Sequence, residues 1–263
     1  MSGFDWLRCP HCAEPLTRGD GALRCSTGHA FDVARQGYAN LLGRAAPANA
    51  DTPRMLDARA RFLAAGHYAP LADAVAARLD GALRIIEVGA GTGHYLARAL
   101  DAHPDAEGLA TDVSVAAAKR AARAHHRAMS IVADTWAGLP LRDGVADAVL
   151  CVFAPRNPSE FERVLAPGGR LVVAVPTAAH LADVRAHYGL LGVAADKAET
   201  VAASLPGWDM DRPETLTAPL DLTAAEVADL IAMGPNAFHG PPPSTAPAST
   251  RLAVTVLTLT RPR

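Results

Sequence analysis

RIIEVGAGTGHYLARAL, residues 84–100, is the stretch on which the fold turns. An apolar run meets a glycine-rich turn, and an amphipathic helical pattern follows at once. In Glu87-Val-Gly89-Ala-Gly91-Thr-Gly93 the glycines relieve side-chain collision where a ligand crosses a strand-to-helix turn, and the following helix supplies outward-pointing amides. A short strand at Glu107–Thr111 then leads to Asp112, 19 residues after Gly93, placed to accept hydrogen bonds from both hydroxyls of a ribose. The arrangement fits a nicotinamide nucleotide or S-adenosylmethionine, and the variant with glutamate before the first glycine leans toward the methyl donor. A dehydrogenase and an RNA-binding module with a degenerate donor site are the competing readings. Asp134-Thr135, at the end of a third apolar strand, can meet an adenine edge through carboxylate and backbone groups, or simply cap a helix.

Outward from this unit the strand and helix signals repeat. Toward the N-terminus, Leu71, Val75 and Leu79 recur at the four-residue spacing of a buried helical stripe, and Gly66 and Pro70 divide the segment Met55 to Leu79 into two helices. Toward the C-terminus come an alanine-rich helix after Asp112, a buried strand over Ala148–Phe153, a helix from Ser159 to Leu165, the turn Pro167-Gly168-Gly169, and the strand RLVVAVP. Cys151 reads as a packing residue of its strand. Phe153, Ala154 and Pro155 end that strand at the edge where open α/β sheets place their crevices. Leu220–Thr223 reads as the approach to a helix, with Thr223 and Glu226 spaced as a capping box and the helix running toward Met233. After the soft segment FHGPPPSTAPAST, RLAVTVLTLT is a β-branched terminal strand. The pattern predicts an α/β domain with a mostly parallel sheet covered on both faces.

Composition narrows the function classes. Of 263 residues, 50% are hydrophobic and 20% charged, with a net charge of −2, so global disorder and a whole-molecule polycation are both excluded and any nucleic-acid footprint must be local. No uncharged apolar stretch reaches membrane-spanning length, and MSGFDWLRCPHC lacks a signal-peptide pattern, so a cytoplasmic protein without a membrane partner is expected. Three of the four cysteines fall within the first 25 residues. Cys9-Pro-His-Cys12 followed by Cys25-Ser-Thr-Gly-His29 supplies the four donors of a tetrahedral zinc site, and with every position taken by protein the metal is structural. A redox CxxC, an iron site, and His11 in place of one donor are the alternatives. The first division of the chain falls near residue 45, giving a zinc-binding domain over 1–45, a linker and helical segment over 46–80, and the α/β domain over 81–263. Arg8, Arg18, Arg24, Arg35 and Arg44 lend the first unit positive charge that Asp5, Glu14, Asp20 and Asp32 dilute.

CPHC, CSTGHAFDVARQGYANLL, ARARFLAAGHY, EVGAGTG and VLAPGGRLVVAVPTAAHL occur here in the order found in the RlmA family of zinc-containing 23S rRNA (guanine-N1)-methyltransferases, which this chain resembles over most of its length. That family includes the actinobacterial macrolide-resistance enzymes. The resemblance implies a class I Rossmann-like methyltransferase with a mostly parallel seven-stranded sheet behind a small N-terminal zinc-binding domain. It implies zinc ligation by Cys9, Cys12, Cys25 and His29. It further implies donor binding by Tyr68, by the loop holding Gly89, Gly91, Gly93 and His94, by Asp112 and by His180, which join Glu87, Asp134 and Thr135, read from the residues themselves, as the candidate donor site. Taken by themselves, Tyr68 reads first as a core aromatic and His180 as an ordinary surface histidine, and the resemblance reverses both readings.

The implied reaction is methyl transfer from S-adenosylmethionine to N1 of a guanine in a 23S rRNA hairpin, by a homodimer with a W-shaped RNA-facing cleft. A small-molecule acceptor, with the zinc unit kept as a scaffold, is the alternative. No residue stands out as general base. Lys119, Arg120, Arg123 and Arg127, with His125 and His126, form the densest basic run, readable as a solvated helix face or as phosphate contacts.

Overall fold

Asp20-Gly21 is a two-residue hairpin turn in which both residues have positive φ, 46° and 76°, the geometry that matches the twist of the flanking strands. It joins β1 (Thr17–Gly19) to β2 (Ala22–Arg24), and β3 (Ala30–Asp32) completes a three-stranded antiparallel sheet. The computed structural model describes residues 3–239 and 244–263; residues 240–243, part of the proline-rich segment, lie outside the described residues. The small sheet has little apolar surface of its own. Trp6, Leu7, Leu16 and Leu23 are buried in a common core with Ile86, Leu109, Val149 and Leu171 of the large sheet. Each such leucine contributes about 1.5–3 kcal/mol by burial, so the unit draws stability from the sheet as well as from its metal site. Its last strand, β4 (Tyr38–Asn40), leaves the hairpin and pairs in parallel with β7 of the large sheet (Ala128–Val132), Ala39 opposite Ile131.

Thr52 caps α1 (Pro53–Ala64) by accepting the Met55 amide at 3.3 Å, and Gly66, at φ +83°, ends that helical segment before α2 (Ala69–Ala76). Leu71, Val75 and Leu79 are fully buried, as their spacing predicts. There follow β5 (Arg84–Val88), α3 (His94–Ala102), β6 (Glu107–Asp112), α4 (Val115–Ala121) and β7, then β8 (Ala146–Val152), α5 (Pro158–Val164) and β9 (Leu165–Pro176). The Pro167-Gly168-Gly169 turn lies within β9 as an irregularity against β8 rather than before it. The chain ends with α6 (Ala182–Tyr188), α7 (Lys197–Ala203), β10 (Asp209–Met210), β11 (Glu214–Leu222), α8 (Ala224–Ala232) and β12 (Ala248–Thr260).

The large sheet runs β10-β12-β9-β8-β5-β6-β7-β4, with β11 also paired to β12; β4 through β9 are parallel and the β12 pairings antiparallel. Seven of its nine strands make the expected sheet. The other two are short edge additions, β4 from the zinc unit and the two-residue β10. Successive side chains on a strand bury on opposite faces: Ile85 and Leu150 belong to one core, Ile86 and Val149 to the other. The face holding Ile86 is covered by the zinc unit, α5 and α7, and the opposite face by helices that include α2, α3 and α8.

Leu220–Thr223 does lead into a helix, and it does so as the end of a strand that the sequence reading did not include: β11 occupies Glu214–Leu222, and Pro219 is tolerated there because β12 is the one strand paired to β11 among the described residues, so a missing N–H costs no second ladder. The capping box beyond it forms, with the Thr223 amide on Glu226 Oε2 at 2.8 Å and the Glu226 amide on Thr223 Oγ1 at 3.3 Å. Among the described residues no helix is long and apolar enough to cross a membrane. Because β5 to β8 are parallel, Val88, Asp112, Val132 and Val152 all end at one edge of the sheet, where the turns that follow converge.

Candidate zinc and methyl-donor sites

The first knuckle closes when the Ala13 amide donates to the Cys9 carbonyl at 2.9 Å, and the second when Gly28 and Cys25 amides donate to Cys25 and His29 carbonyls, each at 3.1 Å. These turns bring Cys9, Cys12 and Cys25 Sγ and a ring nitrogen of His29 within 4.8 Å of one another. A tetrahedral zinc with bonds near 2.3 Å to sulfur and 2.0–2.1 Å to nitrogen sets its donors about 3.8 Å apart for S···S and about 3.5 Å for S···N. The observed Cys12–Cys25 separation is 3.7 Å, and His29 Nδ1 lies 3.5 Å from Cys9 Sγ and 3.4 Å from Cys25 Sγ. The donor set fits zinc and leaves no position for water. The Thr27 hydroxyl, 3.0 Å from both Cys12 and Cys25 Sγ, favours their thiolates and brings Cys25 down to about 6. His11 stacks on Phe31 with ring centroids 5.7 Å apart and is not one of the four.

At the end of β5 the turn crowds against its surroundings. Gly89, at φ +61°, could not carry a Cβ: it would stand 2.7 Å from Ala154 Cβ. A Cβ on Gly91 would meet the Arg59 guanidinium at 2.5 Å, and Gly93 N-caps α3. Arg59 is anchored by Asp51 at 2.5 Å and by the Met233 carbonyl at 2.6 Å, so it clasps the linker and the end of α8 against the glycine turn. Asp112 Oδ2 accepts the Gly91 amide and Oδ1 the Ser114 amide, both at 2.9 Å. Burial raises its pKa, and each oxygen keeps a lone pair for a further donor such as a diol hydroxyl. Glu87 lies beneath the turn, accepting the Leu96 amide at 3.1 Å; burial pushes its carboxyl up to about 8. His94 begins α3, and its Nε2 is buried with no hydrogen-bond partner among the described residues. An orphaned polar atom beside a turn that already presents Asp112 fits a bound nucleoside-type donor.

A second group gathers around Phe153, the neighbour of the Ala154 that packs on Gly89. Tyr68 and His180 are buried, with Tyr68 Oη 3.3 Å from His180 Nε2, and the Phe153 ring stacks on His180 with centroids 5.7 Å apart. Burial depresses His180 to about 4, so it is neutral near pH 7. Its Nδ1 accepts the Ala253 amide at 3.2 Å, which assigns the proton to Nε2; that N–H donates to Tyr68, and the Tyr68 proton is left for another acceptor.

The family model described as RlmA, N-terminal, matches residues 7–46, and a methyltransferase-domain model matches residues 85–169. The chain is 49% identical over 248 residues to the 23S rRNA (guanine(748)-N(1))-methyltransferase of Streptomyces fradiae, covering 90% of this chain and 87% of that one. The chain belongs to the RlmA family of 23S rRNA (guanine-N1)-methyltransferases. It is an S-adenosylmethionine-dependent methyltransferase with a structural zinc site. Solved structures agree on the fold: the YcgJ protein of Bacillus subtilis, with a TM-score of 0.51 and 15% identity, covers 73% of this chain and 98% of its own. A chain of the Haloferax volcanii Trm112 activator–methyltransferase complex, with a TM-score of 0.53 and 19% identity, covers 80% and 96%.

Against this RlmA-type frame the remaining expected residues fall as follows. Asp134 is held by Arg44 and by the Trp136 amide at 2.9 Å, so its carboxylate closes a turn at the end of β7. The Thr135 carbonyl accepts from Asn157 Nδ2 at 2.9 Å, tying that turn to the one after β8. Half of the cations in the basic run are consumed within the protein. Arg127 donates to the carbonyls of Leu100, His103 and Ala106, and Arg120 pairs with Asp57, leaving Lys119 and Arg123 as its cations without a partner among the described residues. Arg59 is the participant that sequence reasoning missed, and for Arg44 and Phe153, named there as a charge of the first unit and as a strand end at the crevice edge, it missed the partners. Arg59 lies inside the ARARFLAAGHY segment and Phe153 ends a recognised strand, but their contacts are made by residues far away in the chain.

Proposed function

We propose that this protein transfers a methyl group to N1 of a guanine in a 23S rRNA hairpin. The support that carries the reading is the 49% identity over 90% of the chain to an enzyme named for that reaction. In this reading Tyr68, Gly89, Gly91, Gly93, His94, Asp112, Asp134, Thr135 and His180 surround the donor, and Glu87 supports the turn from below. S-adenosylmethionine supplies an electrophilic methyl on a sulfonium that is itself the leaving group. The chain's task is to align the acceptor in line with that methyl and exclude water. Asp112 offers its free lone pairs to the ribose, and Tyr68 offers its proton to a polar atom at the crevice.

Guanine N1 must lose its proton, and three nearby groups are unsuited to take it. Both ring nitrogens of His180 are engaged, burial pushes the Tyr68 phenol upward, and Glu87 lies under the turn. Catalysis therefore rests on positioning, with the proton passing to solvent. The protein acts as a cytoplasmic homodimer, which sedimentation at micromolar concentration tests.

The test of activity is to incubate the full chain with radiolabelled S-adenosylmethionine and protein-free 23S rRNA, in parallel with a metabolite extract. Label in one guanine, with a reverse-transcription stop because an N1-methyl blocks the pairing edge, is expected. Label only in the metabolite fraction overturns the reading in favour of a small acceptor.

A further inference from the structure

The turn that follows β8, Phe153-Ala154-Pro155-Arg156, carries two features that neither the core nor the donor turn explains. Phe153 sits at φ +53°, a left-handed conformation that costs a bulky residue of order 1–3 kcal/mol and persists only where the surroundings enforce it. Its amide donates to the Ala174 carbonyl at 3.1 Å, and Ala154 packs so closely on Gly89 that the turn cannot relax toward the donor side. This strained backbone does not bury the ring. Phe153 is 40% exposed, with Tyr68 and His180 behind it. Three residues on, Arg156 is half-buried, yet its guanidinium has no hydrogen bond or ion pair among the described residues. Every arginine around the basic run that is comparably enclosed, such as Arg120 and Arg127, is satisfied by carboxylates or carbonyls. The loop is braced by Asn157, bonded to the Thr135 carbonyl, and by prolines at 155 and 158.

We propose that residues 153–156 hold the acceptor nucleotide, the flipped base stacking on the exposed face of Phe153 and a phosphate of the same strand pairing with Arg156. A planar aromatic ring fixed beside the donor turn orients a base without reading its identity, and a half-buried guanidinium with no partner among the described residues is suited to a phosphate fork. A ring nitrogen can be attacked in line only once the base has left its stack, so a platform at this edge is what the reaction needs. The proposal rests on the RNA reading above and adds to it the residues that receive the substrate.

The test compares Phe153→Ala, Phe153→Leu, Phe153→Tyr and Arg156→Gln in the full-length, zinc-loaded protein, using protein-free 23S rRNA. Donor affinity is measured by calorimetry and folding by thermal melting. Phe153→Ala and Phe153→Leu should lower kcat/KM for the RNA roughly ten- to a hundredfold, as expected for loss of one base stack, with donor affinity unchanged and Phe153→Tyr near wild type. Arg156→Gln should weaken RNA binding and make the dependence of log affinity on log salt shallower by about one phosphate contact. Equal rates for Phe153→Leu and Phe153→Tyr would overturn the platform, since apolar cover rather than stacking would then suffice. A loss of donor affinity in Phe153→Ala matching the loss in rate would overturn it too, making the ring a wall of the donor site. An unchanged salt slope in Arg156→Gln overturns the phosphate contact. If the wild-type protein labels no rRNA, the underlying reading fails; if wild type labels a guanine and Phe153→Ala does so equally well, only the platform fails.

Discussion

In the zinc ribbon four donor atoms from one short segment, Cys9 to His29, converge within 4.8 Å, whereas the crevice beside the donor turn is assembled from Tyr68, Phe153, His180 and Ala253, four separate parts of the chain. The ribbon's geometry is written into two local turns and needs the metal to hold thiolates together. The crevice's geometry is a product of the parallel sheet, which delivers the ends of distant strands to one edge. Loss of metal should therefore damage the ribbon first and the sheet edge next to it, through β4 and the shared Trp6–Leu23 core. Loss of a crevice residue should damage ligand binding and leave the ribbon intact.

The largest effect that would break this contrast is removal of the metal. Chelation, or Cys12→Ser, should release one zinc per chain by elemental analysis and lower the melting temperature by roughly 10 °C or more, because structural zinc sites contribute on the order of 10 kcal/mol in small zinc modules. A melting curve unchanged after complete zinc loss would mean that the sheet alone supports the ribbon. Next in size is Asp112→Asn. A charge-assisted acceptor for ribose hydroxyls is lost, so donor affinity measured by calorimetry should fall roughly ten- to a hundredfold while zinc content stays at wild type.

The smallest effect is one of pH. Burial raises Glu87 from its ordinary 4.5 to about 8. Its folded pKa lies above its unfolded one, so its contribution is fully present below about pH 4.5 and is lost as pH rises toward 8. Glu87→Gln keeps an acceptor for the Leu96 amide and cannot ionise. The melting-temperature advantage of the variant should thus grow between pH 5 and pH 8 and vanish at the acid end of the range.

Legibility in the sequence follows the same division. Cys9, Cys12, Cys25 and His29 are readable because a tetrahedral metal imposes short, fixed spacings. The turn after β5 and Asp112 are readable because a nucleotide crossing a βα turn demands glycine and a carboxylate one strand later. Strand β11 hides behind Pro219, which argues against a strand unless its edge position is known. Arg127 reads as part of a solvated helix face or as a phosphate contact until the segment from Leu100 to Ala106 is seen to present three carbonyls to it. The capture of Asp134 by Arg44 depends on where the linker passes, which no local pattern states.

The amino-acid sequence by itself determined the zinc donor set, the glycine turn with Asp112 one strand later, and the α/β alternation, since each follows from periodicity or spacing over a few tens of residues. Only the tertiary structure decided that β4 joins the large sheet, that Tyr68 and His180 share a proton-directing hydrogen bond, and that Phe153 stands exposed on strained backbone. Those are contacts between residues remote in the chain, and side-chain chemistry carries no record of which remote partner the packed sheet will bring within reach.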